Sequence, residues 1–180
     1  MEKIETGIKD LYIIKPNVFY DDRGYFYESY NYNSFKKLDL DVVFKQDNQS
    51  LSQKGTIRAL HFQEPPHAQL KLVRVVNGAV FDVAVDLRKN SPTYGEWFGT
   101  VLSAENKMML WIPEGFAHGF QALENNTIFH YKCSDFYHPE CENSIIWNDV
   151  TLNINWFDIK PIISKKDKMS KTFLDFESKL

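Results

Sequence analysis

The 180-residue chain has only two cysteines, Cys133 and Cys141, and they do not form a Cys-x-x-Cys pair. This excludes a disulfide framework or a structural zinc site as the basis of folding, and two reduced thiols are the expectation. No sign of charge dominates, since 21 basic and 24 acidic residues are interspersed to a formal net charge of -3. A nucleic-acid backbone or an anionic membrane would find no basic face, and phosphate on a small ligand would have to be met by a few local cations. No apolar run is long enough to cross a bilayer, and MEKIETGIKDLYII at the start lacks a basic stretch followed by an uninterrupted apolar one. A soluble, cytoplasmic protein is therefore expected. Helical patterning is also scarce, limited to Ser34–Leu40 with Ser34 as N-cap and to lysine-rich Lys166–Leu180, read as a helix or a tail. With no linker, repeat or composition shift, a single domain over residues 1–180 is the expectation.

What the chain does have is aromatic residues, 15% of the total with 14 Phe and 9 Tyr. Flat, bulky rings suit strands, cores and stacking pockets. Turn signals recur at short intervals, at Asp21-Asp22-Arg23-Gly24, Asn77-Gly78, Lys89-Asn90-Ser91-Pro92, Pro113-Glu114-Gly115 and Glu124-Asn125-Asn126-Thr127. Between them lie strand-like segments at Tyr25–Tyr30, Asp41–Gln46, Thr56–Gln63, Trp97–Leu102, Met108–Ile112, Gly119–Leu123 and Thr127–Cys133. Leu70–Val76 and Ala79–Leu87 flank Asn77-Gly78, a pattern that predicts a tight type I′ hairpin. The predicted class is mainly β, a sandwich or barrel with a few short helices, whose interior can hold a small ligand.

Three residues stand out against that background. Alternation through TIRALHFQ places Ile57, Ala59, His61 and Gln63 on one face and Arg58, Leu60 and Phe62 on the other. His61 then faces polar space, as a satisfied structural residue or as a base. Lys71 shares parity with Val73 and Val75, so its ammonium either snorkels to water or faces a cavity that takes an anion. Tyr131 lies on one face with Phe129 and Cys133, as packing or as a proton donor.

PEGFAH, Pro113–His118, has a Pro-x-Gly-x-x-His spacing that resembles the second motif of cupin barrels, where that His binds a metal. The first cupin motif would supply His-x-His and a Glu seven residues before a Gly. Here the chain reads His61-Phe62-Gln63, and Lys71 stands seven residues before Gly78. Two imidazoles beside a cation make an incomplete ligand set for zinc or non-haem iron, so no metal is expected. His, Lys and Tyr without a metal suit proton abstraction next to a carbonyl: a neutral base, a cation for the enolate oxygen, and a hydroxyl that reprotonates the opposite face.

The blocks FYDDRGYFYE, FKQDNQS, TIRALHFQ, QLKLVRVVNGAVFDVAVDLRKNSPTYG, LSAENKMMLWIPEGFAHGF and YKCSDFYHPECE, in that order, resemble the dTDP-4-dehydrorhamnose 3,5-epimerases from about residue 5 to about residue 170. The resemblance implies a cupin-like jelly roll and a cofactor-independent isomerase acting on a dTDP-linked 4-keto-6-deoxy sugar. His61 matches the base, Asp167 the carboxylate that orients it, Tyr131 the acid and Lys71 the group facing the enolate oxygen. Arg58, His118, Gln46, Asn48 and Tyr137 match substrate-binding positions. Arg23, Phe26 and Glu28 match nucleotide-binding positions that reach across from the partner in a strand-exchanged homodimer. The chain departs from the family's usual pattern at Ala59, commonly Gly, and at Leu70, commonly Ala. Strict alternation also sets Arg58 and His61 on opposite faces, so both can meet one ligand only if the strand bulges or Arg58 reaches round an edge. Rival readings are a single epimerisation or a 3,4-ketoisomerisation on the same scaffold, a metal-dependent cupin enzyme and a sugar-binding module.

Overall fold

Because successive side chains of a strand point to opposite sides of its sheet, a strand can bury one row in a shared core and present the other to a second layer. The computed structural model describes all 180 residues. In chain order the elements are β1 (Glu2–Glu5), β2 (Tyr12–Lys15), β3 (Phe19–Asp21), β4 (Gly24–Phe26), α1 (Tyr32–Lys36), β5 (Gln46–Ser52), β6 (Thr56–Gln63), β7 (Lys71–Asn77), β8 (Ala79–Asp86) and β9 (Trp97–Ser103). There follow β10 (Met109–Ile112), β11 (Phe116–Ala122), β12 (Thr127–Cys133), β13 (Glu142–Ser144) and β14 (Ile162–Ile163).

One sheet has the order β1-β2-β10-β7-β12-β5 and the other β13-β6-β11-β8-β9, with β14 added parallel to β6. This is the mainly β, cupin-like jelly-roll sandwich. Val73, Val75, Leu110, Ile112 and Phe129 of the first sheet meet Val80, Ala84, Leu102, Phe116 and Phe120 of the second in the central core. The outer side of the second sheet is covered by the segment after β13 and the C-terminal strap, through Ile145, Leu152 and Phe176. On the outer side of the first sheet, Phe35 of α1 packs with Ile14, Leu72, Met109 and Trp111. Removing a large buried ring such as Phe129 would cost about 3–5 kcal/mol.

Several local expectations are corrected. The Asn77-Gly78 step is not a hairpin turn: β7 pairs with β10 and β12, β8 with β11 and β9, and the step carries the chain from one sheet to the other. Gly78 does take φ +78°, and a Cβ there would stand 2.5 Å from Thr127 Oγ1, so the position requires glycine for both conformation and space. Asn77 lacks the positive φ that a type I′ turn demands of both central residues. The helix starts earlier than predicted, because Asn31 rather than Ser34 is the cap: its Oδ1 accepts from the Ser34 backbone N–H at 3.2 Å.

Asp41–Gln46 is not a strand. Lys45 N–H reaches the Cys133 carbonyl, and the ladder with β12 begins only at Gln46 and runs on to Ser52. The strand expected at Tyr25–Tyr30 is three residues, Gly24–Phe26, in an exposed hairpin with β3. Lys166–Leu180 forms one 3₁₀ turn at Asp167–Met169 and then an irregular strap. Other elements take its backbone groups: Ile146 N–H donates to the Lys171 carbonyl, Phe173 N–H to Asp149 Oδ2 and Lys89 N–H to the Leu180 carbonyl.

Candidate active site

A cavity of about 830 Å³ opens between the two sheets at the end where β6, β7 and β12 meet the 3₁₀ turn at Asp167. That volume suits a small-molecule ligand. Its wall includes His61, Lys71, His118, Tyr131 and Asp167, together with Gln46, Asn48, Arg58 and Tyr137.

How Arg58 and His61 come to share the cavity follows from β6 itself. His118 of β11 pairs with His61 and Phe120 with Arg58, so three steps along β6 oppose two along β11. This is a β-bulge, and it breaks the expected alternation. Ile57, Ala59, Leu60 and Phe62 join the outer core, while Arg58 and His61 line the cavity. Opposite the bulge stands Gly119, where a Cβ would run into Ala59 Cβ and lie 2.8 Å from the Arg58 carbonyl oxygen. Ala59, which departs from the family pattern, has no positive φ and is fully buried, so a methyl group is accommodated there.

His61 Nε2 lies 2.7 Å from Asp167 Oδ1. A carboxylate accepts, so the imidazole donates through Nε2 and leaves its other nitrogen as a lone pair. Asp167 is only 4% exposed. Burial alone would raise its pKa, but His61, Ser164 and Lys166 together bring it below the ordinary aspartate value. Asp167 is thus an ionised, buried partner that holds the ring.

The other sheet supplies Lys71 from β7 and Tyr131 from β12. Lys71 Nζ forms no ion pair, and its one hydrogen bond is a long one of 3.5 Å to the His61 carbonyl oxygen. Burial pushes the ammonium below the usual lysine value, while Cys133, Asp82 and Glu142 pull it back. A cation so placed is ready for an anion that arrives with a ligand. Burial raises the Tyr131 phenol above its ordinary value, with Cys133 and Glu142 adding to the shift and Arg58 opposing it. The phenol therefore holds its proton at neutral pH. His61 approaches the cavity from one sheet, and Tyr131 and Lys71 approach it from the other.

His118 is locked by Asp82, with Nε2 at 3.0 Å from each carboxylate oxygen. Gln46 Nε2 donates to Asn48 Oδ1 at 3.1 Å, and Gln46 Oε1 accepts from the Tyr137 backbone N–H at 2.9 Å. The Arg58 guanidinium leans on Ser52 Oγ at 3.3 Å at the cavity mouth. Arg23, Phe26 and Glu28 are not brought to this cavity. Arg23 pairs with Asp21 at the hairpin tip, Phe26 is exposed, and Glu28 accepts from Asn31.

Sequence reasoning missed Asp82, Glu142 and Lys166. Glu142 binds the Tyr137 hydroxyl at 2.7 Å and the Lys166 ammonium, and both Glu142 and Lys166 line the cavity. Asp82 could have been found as an acidic residue midway along an apolar-rich strand, AVFDVAVD, where a buried carboxylate demands a partner. No group of three metal-ligating side chains gathers at this cavity, and the Lys71 side chain stands in its wall with His61 and His118.

Residues 5–175 match the family profile described as dTDP-4-dehydrorhamnose 3,5-epimerase. The chain belongs to the dTDP-4-dehydrorhamnose 3,5-epimerase family. Among members of that name, the protein of Salmonella typhimurium is 54% identical over 166 residues, covering 91% of each chain. A dTDP-6-deoxy-D-glucose-3,5-epimerase from Legionella pneumophila, solved with dTDP-4-keto-L-rhamnose, superposes with a TM-score of 0.94 at 47% identity, covering 98% of this chain and 94% of its own. A 3'-monoepimerase from Streptomyces bikiniensis, solved with dTDP-quinovose, superposes at 0.89 with 32% identity, covering 94% of this chain and 86% of its own. Solved structures that share this scaffold thus include one described as a 3,5-epimerase and one described as a 3'-monoepimerase. No helix of this member is long and apolar enough to cross a membrane.

Proposed function

We propose that His61 removes the protons at C3 and C5 of dTDP-4-dehydro-6-deoxy-D-glucose and that Tyr131 returns protons from the opposite side, giving dTDP-4-dehydro-L-rhamnose. The C4 ketone acidifies both positions, and each abstraction places negative charge on the ketone oxygen. Lys71 offsets that charge, and Asp167 holds His61 in the tautomer that presents a lone pair. The observation that carries this reading is the opposition of the His61–Asp167 pair on one sheet to Tyr131 and Lys71 on the other, across one cavity. Proton traffic of this kind needs no cofactor.

In the same reading Arg58 and His118 meet the diphosphate or sugar, and Gln46, Asn48 and Tyr137 meet the nucleotide. Arg23, Phe26 and Glu28 act in a partner's cavity, because the β3–β4 hairpin exposes Phe19, Tyr20, Tyr25 and Phe26 on one short ribbon. That is the behaviour of an arm exchanged in a homodimer. A cytoplasmic location goes with an enzyme of nucleotide-sugar synthesis.

The experiment is to incubate the protein with dTDP-4-dehydro-6-deoxyglucose in deuterated water and to follow exchange and product by NMR. Deuterium at both C3 and C5 with an L-rhamno product is expected, and His61→Ala should slow exchange about 10²- to 10⁴-fold. Near-normal exchange in that variant removes His61 from the mechanism. The second reading, inversion of one centre only, is favoured by the scaffold shared with the 3'-monoepimerase. It predicts a product inverted at a single carbon.

A further inference from the structure

Beside the cavity, on its outer rim, lies a cluster that the reaction does not use. His67 follows β6 in the loop Glu64–Leu70, and Asp135 and His138 follow β12. Ligand atoms of these three residues lie within 4.8 Å of one another. The two imidazole rings are stacked, with centroids 3.4 Å apart and planes 8° from parallel.

Each ring has a carboxylate on its Nδ1. His67 Nδ1 is 2.9 Å from Asp135 Oδ2, and His138 Nδ1 is 2.9 Å from Glu140 Oε1. A carboxylate can only accept, so in the neutral ring the proton sits on Nδ1 and the lone pair on Nε2. Neither Nε2 has a hydrogen-bond partner among the side-chain bonds of the structure. The Glu140 carboxylate behind His138 is also the outer-shell arrangement that fixes tautomer and raises ligand basicity at metal sites.

The backbone under the cluster is held firmly. The Gln63 side chain is 5% exposed, and its Nε2 donates to the carbonyls of His67 and Phe136 while its Oε1 accepts from the His138 N–H. One amide therefore ties both histidine-bearing segments together. Gln69 adds a bond to the Asp135 carbonyl at 2.8 Å. Ligands whose main chain is already fixed lose little freedom on binding.

We propose that His67, His138 and Asp135 form a site for a borderline divalent cation such as Zn²⁺, Ni²⁺ or Cu²⁺, separate from the His61 centre. Two imidazoles and a carboxylate are a ligand set these ions favour, with water completing the coordination. To bind, the part-exposed rings splay by side-chain rotation, Asp135 turns from His67 Nδ1 to the ion, and the Lys45 ammonium, 2.8 Å from Asp135 Oδ1, swings to solvent. Occupancy pins residues 135–138 and with them Tyr137, which faces the cavity.

The test is a calorimetric titration of Zn²⁺ into chelator-treated full-length protein, with Co²⁺ absorption as the coordination probe. One Zn²⁺ per chain is expected, with affinity lowered about tenfold or more in His67→Ala and in His138→Ala. Lys45→Ala should bind more tightly, because it removes the competing cation from Asp135. An absence of binding to the native chain overturns the proposal. So does unchanged binding in a folded His67→Ala/His138→Ala variant, or a crystallographic Co²⁺ signal at His61 and His118 in place of His67 and His138. Binding is read without substrate, so failure here leaves the proposed reaction untouched, and failure of that reaction leaves this site standing.

Discussion

His61 and Asp167 stand 106 residues apart in the chain, yet their Nε2 and Oδ1 atoms meet at 2.7 Å. The carboxylate is almost wholly buried and ionised by its partners, so it contributes both to holding the base and to holding the fold. Asp167→Asn should lower kcat and slow deuterium exchange at both carbons, by less than His61→Ala does. A carboxyl whose folded pKa is lowered contributes stability that is present above its unfolded value, about 3.9, and lost as pH falls through the folded value. The Tm deficit of Asp167→Asn should therefore be present above about pH 5 and close below about pH 4. A deficit that persists unchanged at low pH would mean the carboxylate's charge plays no part.

Lys71 carries the opposite sign. Its ammonium is held in a place that disfavours charge, so its lowered pKa is a penalty on the folded state at neutral pH. That penalty fades as pH rises towards the unfolded value, about 10.4. Lys71→Met should abolish most turnover while leaving Tm equal to or above that of the native chain at pH 7. The Tm advantage should narrow as the pH is raised, and a Tm difference independent of pH would contradict this account.

Tyr131→Phe separates abstraction from delivery. His61 can still remove and return a proton on its own side, so exchange should continue while net inversion falls about 10²-fold or more. Product NMR beside deuterium incorporation reads the two rates independently. Normal inversion in the Phe variant would reduce Tyr131 to a packing role.

The inner rows of β7 and β12 were readable from parity alone: Lys71 with Val73 and Val75, and Phe129 with Tyr131 and Cys133, share faces as alternation predicts. The face of β6 was not, because the bulge shows only once β6 is paired with β11, where three of its steps oppose two and Gly119 leaves room for Ala59. Asn77-Gly78 was recognisable as a change of direction, but which sheet each flanking strand joins is decided by partners far away in sequence. Asp82, Glu142 and Lys166 escaped for a similar reason, since their meaning lies in His118 and Tyr137, which folding alone brings within reach.

Gly119→Ala tests the bulge directly. The added Cβ meets Ala59 Cβ and the backbone of Arg58 and Ala59, so overpacking should cost about 1–3 kcal/mol, read as a lower Tm. Activity should fall further than stability accounts for, because the displaced strand carries Arg58 and His61. Ala59→Gly in the same chain removes the side-chain clash and should recover part of both losses. No recovery would place the strain elsewhere.

The step at Asn77-Gly78, by sending neighbouring strands into different sheets, gives up one of the cheapest contacts a folding chain could make early. Pairings between distant segments must be found first, and such topologies fold slowly because loop closure precedes its reward. His61 in turn gains its carboxylate only when residue 167 has come back across the second sheet. During refolding, catalytic competence should therefore emerge last, in step with the closing of the whole sandwich, and no half-folded species should turn over substrate.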